Sequence, residues 1–191
     1  MWIDCDIRFL LPTGLATYLR CLADPHASVA IAQETEGAYC VNADPKLAYN
    51  YHNGRVTRLL EVYNPALVEQ CRYYTPFNSG VFAARRDSPI WGQFRHNLHL
   101  SLAARYDRMR EQDALNIAIL EPGRAIRMPS VCNWLCSLAL PVRWADGTWR
   151  HPHEQDRVIS VAHLTNSSDV IETDAGPSRF YDLYKRMGLT A

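Results

Sequence analysis

Lysine is nearly missing from this chain of 191 residues. Of the 20 lysines and arginines, Lys46 and Lys185 are the only lysines. An arginine bias of this kind accompanies a GC-rich genome. It also suits forked contacts to phosphates and carboxylates, and composition does not separate the two. Net charge is missing as well: 20 basic side chains face 20 acidic ones. That balance excludes a strongly basic nucleic-acid binder and an acidic tail protein. No run of about 18 apolar residues occurs, so no membrane-spanning helix is expected. Met1 to Asp6 lacks a basic stretch leading into an apolar one. No signal peptide is therefore visible, and a cytoplasmic location is expected. There is no Cys-x-x-Cys, and Cys132-x-x-x-Cys136 has no second ligand pair, which argues against structural zinc. The six cysteines, at 5, 21, 40, 71, 132 and 136, read as free thiols. Internal repeats and low-complexity segments are absent too.

What is present is a chain that is 48% hydrophobic, enough to bury a core in one domain. Residues 1–10 read as a buried strand interrupted by two acids. Residues 15–23 fit a short amphipathic helix with Thr13 as N-cap, and 27–33 a second strand. The stretch 43–73 has apolar spacing for one or two helices. Residues 77–84 read as a strand after Pro76. The next helix is capped by Asp87 or Ser88, has Pro89 in its first turn and buries Trp91, Phe94 and Leu98. Glu111 to Leu120 is another helix, stopped by Pro122-Gly123. Residues 125–128 and 157–164 read as strands, 165–177 as a flexible loop and 178–188 as a terminal helix. Strands alternating with helices give an α/β class with a mixed or mostly parallel sheet.

Asp4 and Asp6 lie two apart in the first apolar run. In a strand, period two puts both carboxylates on one face. Such a pair belongs at a strand end facing a cation or water, because two uncompensated charges are costly to bury. Hard oxygen ligands of this kind suit a divalent metal. Gly80 in mid-strand marks a ligand or a close backbone approach. His163, after an apolar strand, is either a satisfied core histidine or a ligand. Trp134, next to Asn133, is either a core residue or a platform for stacking a sugar. His151 and His153 read as a solvated turn, and Arg85 and Arg86 as a solvated pair.

Five segments occur in order: WIDCD, FNSGVFAARRDSPIW, EQDALN, MPSVCNW and VISVAHL, together spanning residues 2 to 164. This series resembles glycosyltransferases of the GT-A fold, in particular glycosyltransferase family 8 and related bacterial sugar-nucleotide transferases. The resemblance implies a GT-A (nucleotide-diphospho-sugar transferase) fold, a mixed central sheet flanked by helices. Residues 1–191 would form one GT-A-like domain, the C-terminal two-thirds of the usual fold. Only Met1, Trp2 and Ile3 precede Asp4, so the N-terminal nucleotide-binding part is expected to be missing.

The resemblance also implies roles. Asp4 and Asp6 would hold Mn²⁺ or Mg²⁺ on the donor diphosphate, with His163 completing the metal site. Asn78 would lie near sugar and acceptor, and Glu111 and Gln112 would start the acceptor-side helix. Two positions depart from the family pattern: Glu111 stands where Asp is usual, and no Lys follows His163. The expected function is metal-dependent transfer of a sugar from a nucleoside-diphosphate sugar to a glycan or other acceptor hydroxyl. The alternative is a non-catalytic remnant serving as a binding module, with an exposed sheet edge open to self-association. A phosphohydrolase built on Asp4 and Asp6 ranks last, since no further acids stand in a ligand motif.

Overall fold

The structure, a computed structural model, describes residues 1–4, 6–34, 45–72, 74–105, 107, 109–120, 125–136, 139–164, 171–173, 176–178 and 187–188. In chain order the elements are β1 (Trp2–Ile3), β2 (Ile7–Phe9), α1 (Pro12–Cys21), β3 (Val29–Gln33), α2 (Pro45–Leu60), α3 (Pro65–Arg72), β4 (Phe77–Ala83), α4 (Ile90–Ala104) and α5 (Arg110–Leu120). Then follow β5 (Ala125–Met128), a 3-10 turn at Ser130–Cys132, β6 (Trp134–Leu135), β7 (Val142–Arg143), β8 (Trp149–Arg150), β9 (Val161–His163), β10 (Ile171–Thr173) and β11 (Gly176–Ser178). The chain is mixed α/β.

Two sheets carry the architecture. The first has the order β1-β4-β3-β5, and the second β2-β9-β6. In the first, β3 is parallel to β5 and antiparallel to β4, and β1 is antiparallel to β4. The sheet is thus mixed and not mostly parallel. Side chains of β3 alternate between its two faces. Val29 and Ile31 join Phe82, Ile90, Phe94 and Leu115 under α4 and α5. Ala30 and Ala32 join Val81, Tyr18 and Val161 on the other face. The small residues on that face admit α1 and the second sheet at close range. A Cβ on Gly14 of α1 would meet Val161 Cγ2 at 2.8 Å. Trp91 and Leu98 pack against the first cluster, as their helical spacing predicts.

One irregularity places the site. Ile31 faces Phe82 and Gln33 faces Phe77, so β4 takes five residues where β3 takes two. The extra length falls on Asn78 to Val81. Bulges of this kind re-aim side chains. The backbone of β4 is then covered in two ways. β1 pairs with Val81 and Phe82, while Asn116 of α5 accepts from the Phe77 amide at 2.7 Å and donates to its carbonyl at 2.8 Å. A side-chain amide does there what a strand does elsewhere.

Several expectations need correction. The first apolar run is two strands in different sheets, because the chain turns at Asp4, with the Ile7 amide donating to the Asp4 carbonyl at 3.2 Å. Thr13 is no cap: α1 begins at Pro12 after Leu11, and Pro has no amide to satisfy. Ser88 does not cap α4 but donates to the Ser28 carbonyl. The stretch read as a flexible loop contains the β10–β11 hairpin. The strand expected at 157–164 is confined to Val161–His163. Most of the expected terminal helix, residues 179–186, lies outside the described residues, as do Cys5, Cys40 and Pro122-Gly123. Cys21, Cys71, Cys132 and Cys136 are free. Among the described residues no helix is long and apolar enough to cross a membrane.

Candidate functional site

The turn between β1 and β2 sits at the seam of the two sheets. The Asp4 amide donates to the Gly80 carbonyl on β4, and the Leu164 amide beside β9 donates to the Asp6 carbonyl, both at 2.9 Å. His163 lies directly opposite Ile7 in the β2–β9 ladder. Asp4, Asp6 and His163 thereby converge, each offering a ligand atom within 4.8 Å of the others. The acids meet through a turn and not through strand periodicity. His163 is buried and lies within this group. Its ring lies over Gly80, where a Cβ would come within 2.2 Å of His163 Cε1. Glycine is required at that point of β4 by this close approach.

The donor set suits a divalent cation. Asp6 Oδ1 and His163 Nδ1 are buried without a hydrogen-bond partner, and His163 Nε2 stands 3.4 Å from Asp6 Oδ1. Buried polar atoms are ordinarily paired. Two carboxylates and an imidazole suit Mn²⁺ or Mg²⁺ better than a soft metal. Burial raises the Asp4 carboxyl above its ordinary value, against a lowering hydrogen bond from Trp2 and with a further push from Asp6.

A second carboxylate lies behind this one. Glu34, just past β3, accepts from Asn78 Nδ2 and Gln112 Nε2, each at 3.1 Å, and from the Tyr51 hydroxyl at 2.9 Å. Burial raises its proton affinity, and the three donors oppose that. The other ends of the two amides are occupied as well. Asn78 Oδ1 accepts from the Gly80 amide and from Asn133 Nδ2, and Gln112 Oε1 accepts from the Ser79 amide. Asn78 and Gln112 thus brace the bulge of β4. The α2 helix that supplies Tyr51 is clamped to α5 by Arg58–Asp113 at 2.8 Å and by Arg110–Glu61.

Glu111 stands between the two groups. Its Oε2 accepts from Ser79 Oγ at 2.9 Å, while Oε1 is buried and unpartnered. Burial pushes its carboxyl up to about 7, with the Asp4 charge adding to the rise and the Ser79 bond opposing it. All six expected site residues therefore lie along one stretch of β4 and its neighbours. Asp4, Asp6 and His163 form the open group, and Asn78 and Gln112 the braced one, with Glu111 joining them through Ser79.

Two other residues singled out by the sequence are buried. Trp134 is fully buried and donates its indole N–H to the Ala139 carbonyl, so it is no sugar platform. His151 is buried edge-on against Trp134 and accepts at Nδ1 from the amides of His153 and Glu154; only His153 of that pair is exposed. Sequence reasoning missed Glu34, Tyr51 and Asn116. Glu34 carried the same signal as Asp4, an acid at the end of an apolar strand. Comparison with protein-family models, curated proteins and solved structures returned no match.

Proposed function

We propose that this chain is a metal-dependent glycosyltransferase of the GT-A type that moves a sugar from a nucleoside-diphosphate donor to an acceptor hydroxyl. The observation that carries the reading is the Asp4–Asp6–His163 group with its orphaned buried atoms, set beside Glu111. Bound there, Mn²⁺ or Mg²⁺ would supply Lewis-acid charge to the departing diphosphate. Asp4 and Asp6 would hold it from the turn, and His163 from β9. Glu111 offers Oε1 to a sugar hydroxyl on the Ser79 side. Because its carboxyl titrates near neutrality, it can donate or accept that hydrogen bond. Asn78 and Gln112 act by holding Ser79 and Gly80 in place, which is the positioning part of catalysis. Most of the work would be electrostatic stabilisation of the departing diphosphate.

One observation favours the second reading, a binding module without turnover. The hydrogen-bonding ends of Asn78 and Gln112 are spent on protein partners. Calorimetry with nucleoside diphosphates, with and without Mn²⁺, tests both readings. Glycosyl transfer expects binding that depends on the metal, together with hydrolysis or transfer of the donor sugar. Metal-dependent binding without turnover supports the module. No binding under either condition overturns both.

A further inference from the structure

Asp4 has a partner that the cation reading leaves without a role. The Trp2 indole Nε1 donates to Asp4 Oδ1 at 2.8 Å. Trp2 is 38% exposed, yet its ring is held on two sides. It stacks on Phe82 with centroids 6.1 Å apart and planes 14° from parallel, and meets Phe94 edge-on at 6.2 Å. The β1–β4 register sets this, since Trp2 lies directly opposite Phe82. An indole N–H is a donor only. It cannot itself ligate a cation, and it brings no positive charge that would repel one. A lysine or arginine at the same place would satisfy Asp4 and weaken the site.

We propose that Trp2 is a positioning residue for the cation site: its indole N–H fixes Asp4 Oδ1, so that the carboxylate presents its other oxygen toward Asp6 and His163. The proposal rests on the cation reading given above. Partners of ligating carboxylates are known to govern affinity, and their loss commonly costs 10- to 100-fold. The stack on Phe82 supplies the rigidity, and the N–H supplies the direction.

The test uses the whole chain and Mn²⁺ alone, with free ion counted by electron paramagnetic resonance. Trp2→Phe keeps a ring for the stack and removes the donor. Its dissociation constant for Mn²⁺ is expected to rise by roughly 10-fold or more. Equal affinity in wild type and Trp2→Phe overturns the proposal. A second readout needs no variant. In ¹H–¹⁵N spectra the Trp2 indole signal should shift on addition of Mg²⁺, while those of Trp144 and Trp149 stay in place. An unmoved Trp2 signal in a protein that takes up Mg²⁺ also overturns the proposal. If wild type and Asp6→Asn both fail to retain Mn²⁺, the cation reading itself falls, an outcome distinct from a failure of Trp2 alone.

Discussion

Two carboxylate groups flank the bulge of β4, and they are built on opposite terms. Glu34 is answered in full: three donors from three elements meet its two oxygens. The Asp4–Asp6–His163 group keeps orphaned atoms in a buried place. The first arrangement offsets part of the cost of burying its charge with three hydrogen bonds and gives back rigidity. The second carries a desolvation cost that a cation would relieve. Chemistry is therefore to be sought on the open side, and the closed side is what keeps it in register.

The largest effect is expected where the closed group is broken. Glu34→Ala strands two amides and a phenol, each costing about 1–3 kcal/mol when buried without a partner. Thermal unfolding should show a loss of about 3 kcal/mol or more, roughly 6–12 °C at this chain length. If the melting temperature is unchanged, Glu34 is not the brace described.

Gly80→Ala attacks the open side through shape. The new methyl overlaps the His163 ring, and overpacking of this kind costs about 1–3 kcal/mol. Mn²⁺ uptake should be lost at the same time. Gly92→Ala is the control, since a Cβ there meets nothing within 4 Å. In the first turn of α4, it should leave stability unchanged or raise it by less than the about 1 kcal/mol seen in helix interiors.

Asp6→Asn should separate the two properties. Removing one charge from this group should cost no more than about 1 kcal/mol and abolish Mn²⁺ retention. A large destabilisation would mean that the open group is structural after all.

The last effect is a pH dependence. The Glu111 carboxyl is pushed up from 4.5 to about 7, so the folded state holds a proton that the unfolded chain has released. Stability from this group is then lost as pH rises from about 4.5 to 7, and the cost is complete above 7. Glu111→Gln should match wild type at pH 4 and exceed it by on the order of 3 kcal/mol at pH 8. Denaturant unfolding at both pH values measures this, and Mn²⁺ should shrink the difference by favouring the ionised carboxylate.

The sequence was readable wherever one element's own pattern decided the outcome. Trp91, Phe94 and Leu98 repeat at helical spacing and pack on one cluster. Gly80 stands in an apolar strand and does mark a close approach. The acid pair was readable as a pair, but its geometry was not, because strand periodicity fails where a turn carries the chain from one sheet to another. Glu34 was legible as an acid at a strand end, but its bracing role was not. Its partners lie 17, 44 and 78 positions away, and no local spacing encodes such distances. His151 was misjudged by its neighbours: Pro152 looks like a loop residue, yet the imidazole is buried edge-on against Trp134. Polar flanks report poorly on burial when backbone bonds satisfy them.

The turn from Asp4 to Ile7 has a mechanical consequence. Its first residue is fastened to β4 and its third to the end of β9, so it spans a joint between two hydrogen-bonded networks. A cation gripped by Asp4 on one side and by Asp6 and His163 on the other would act as a rivet across that joint. Its binding free energy would appear as slowed amide exchange in β9 and in the middle of β4, far beyond the three ligands. At a concentration 100 times its dissociation constant, the whole fold would gain about 2.7 kcal/mol.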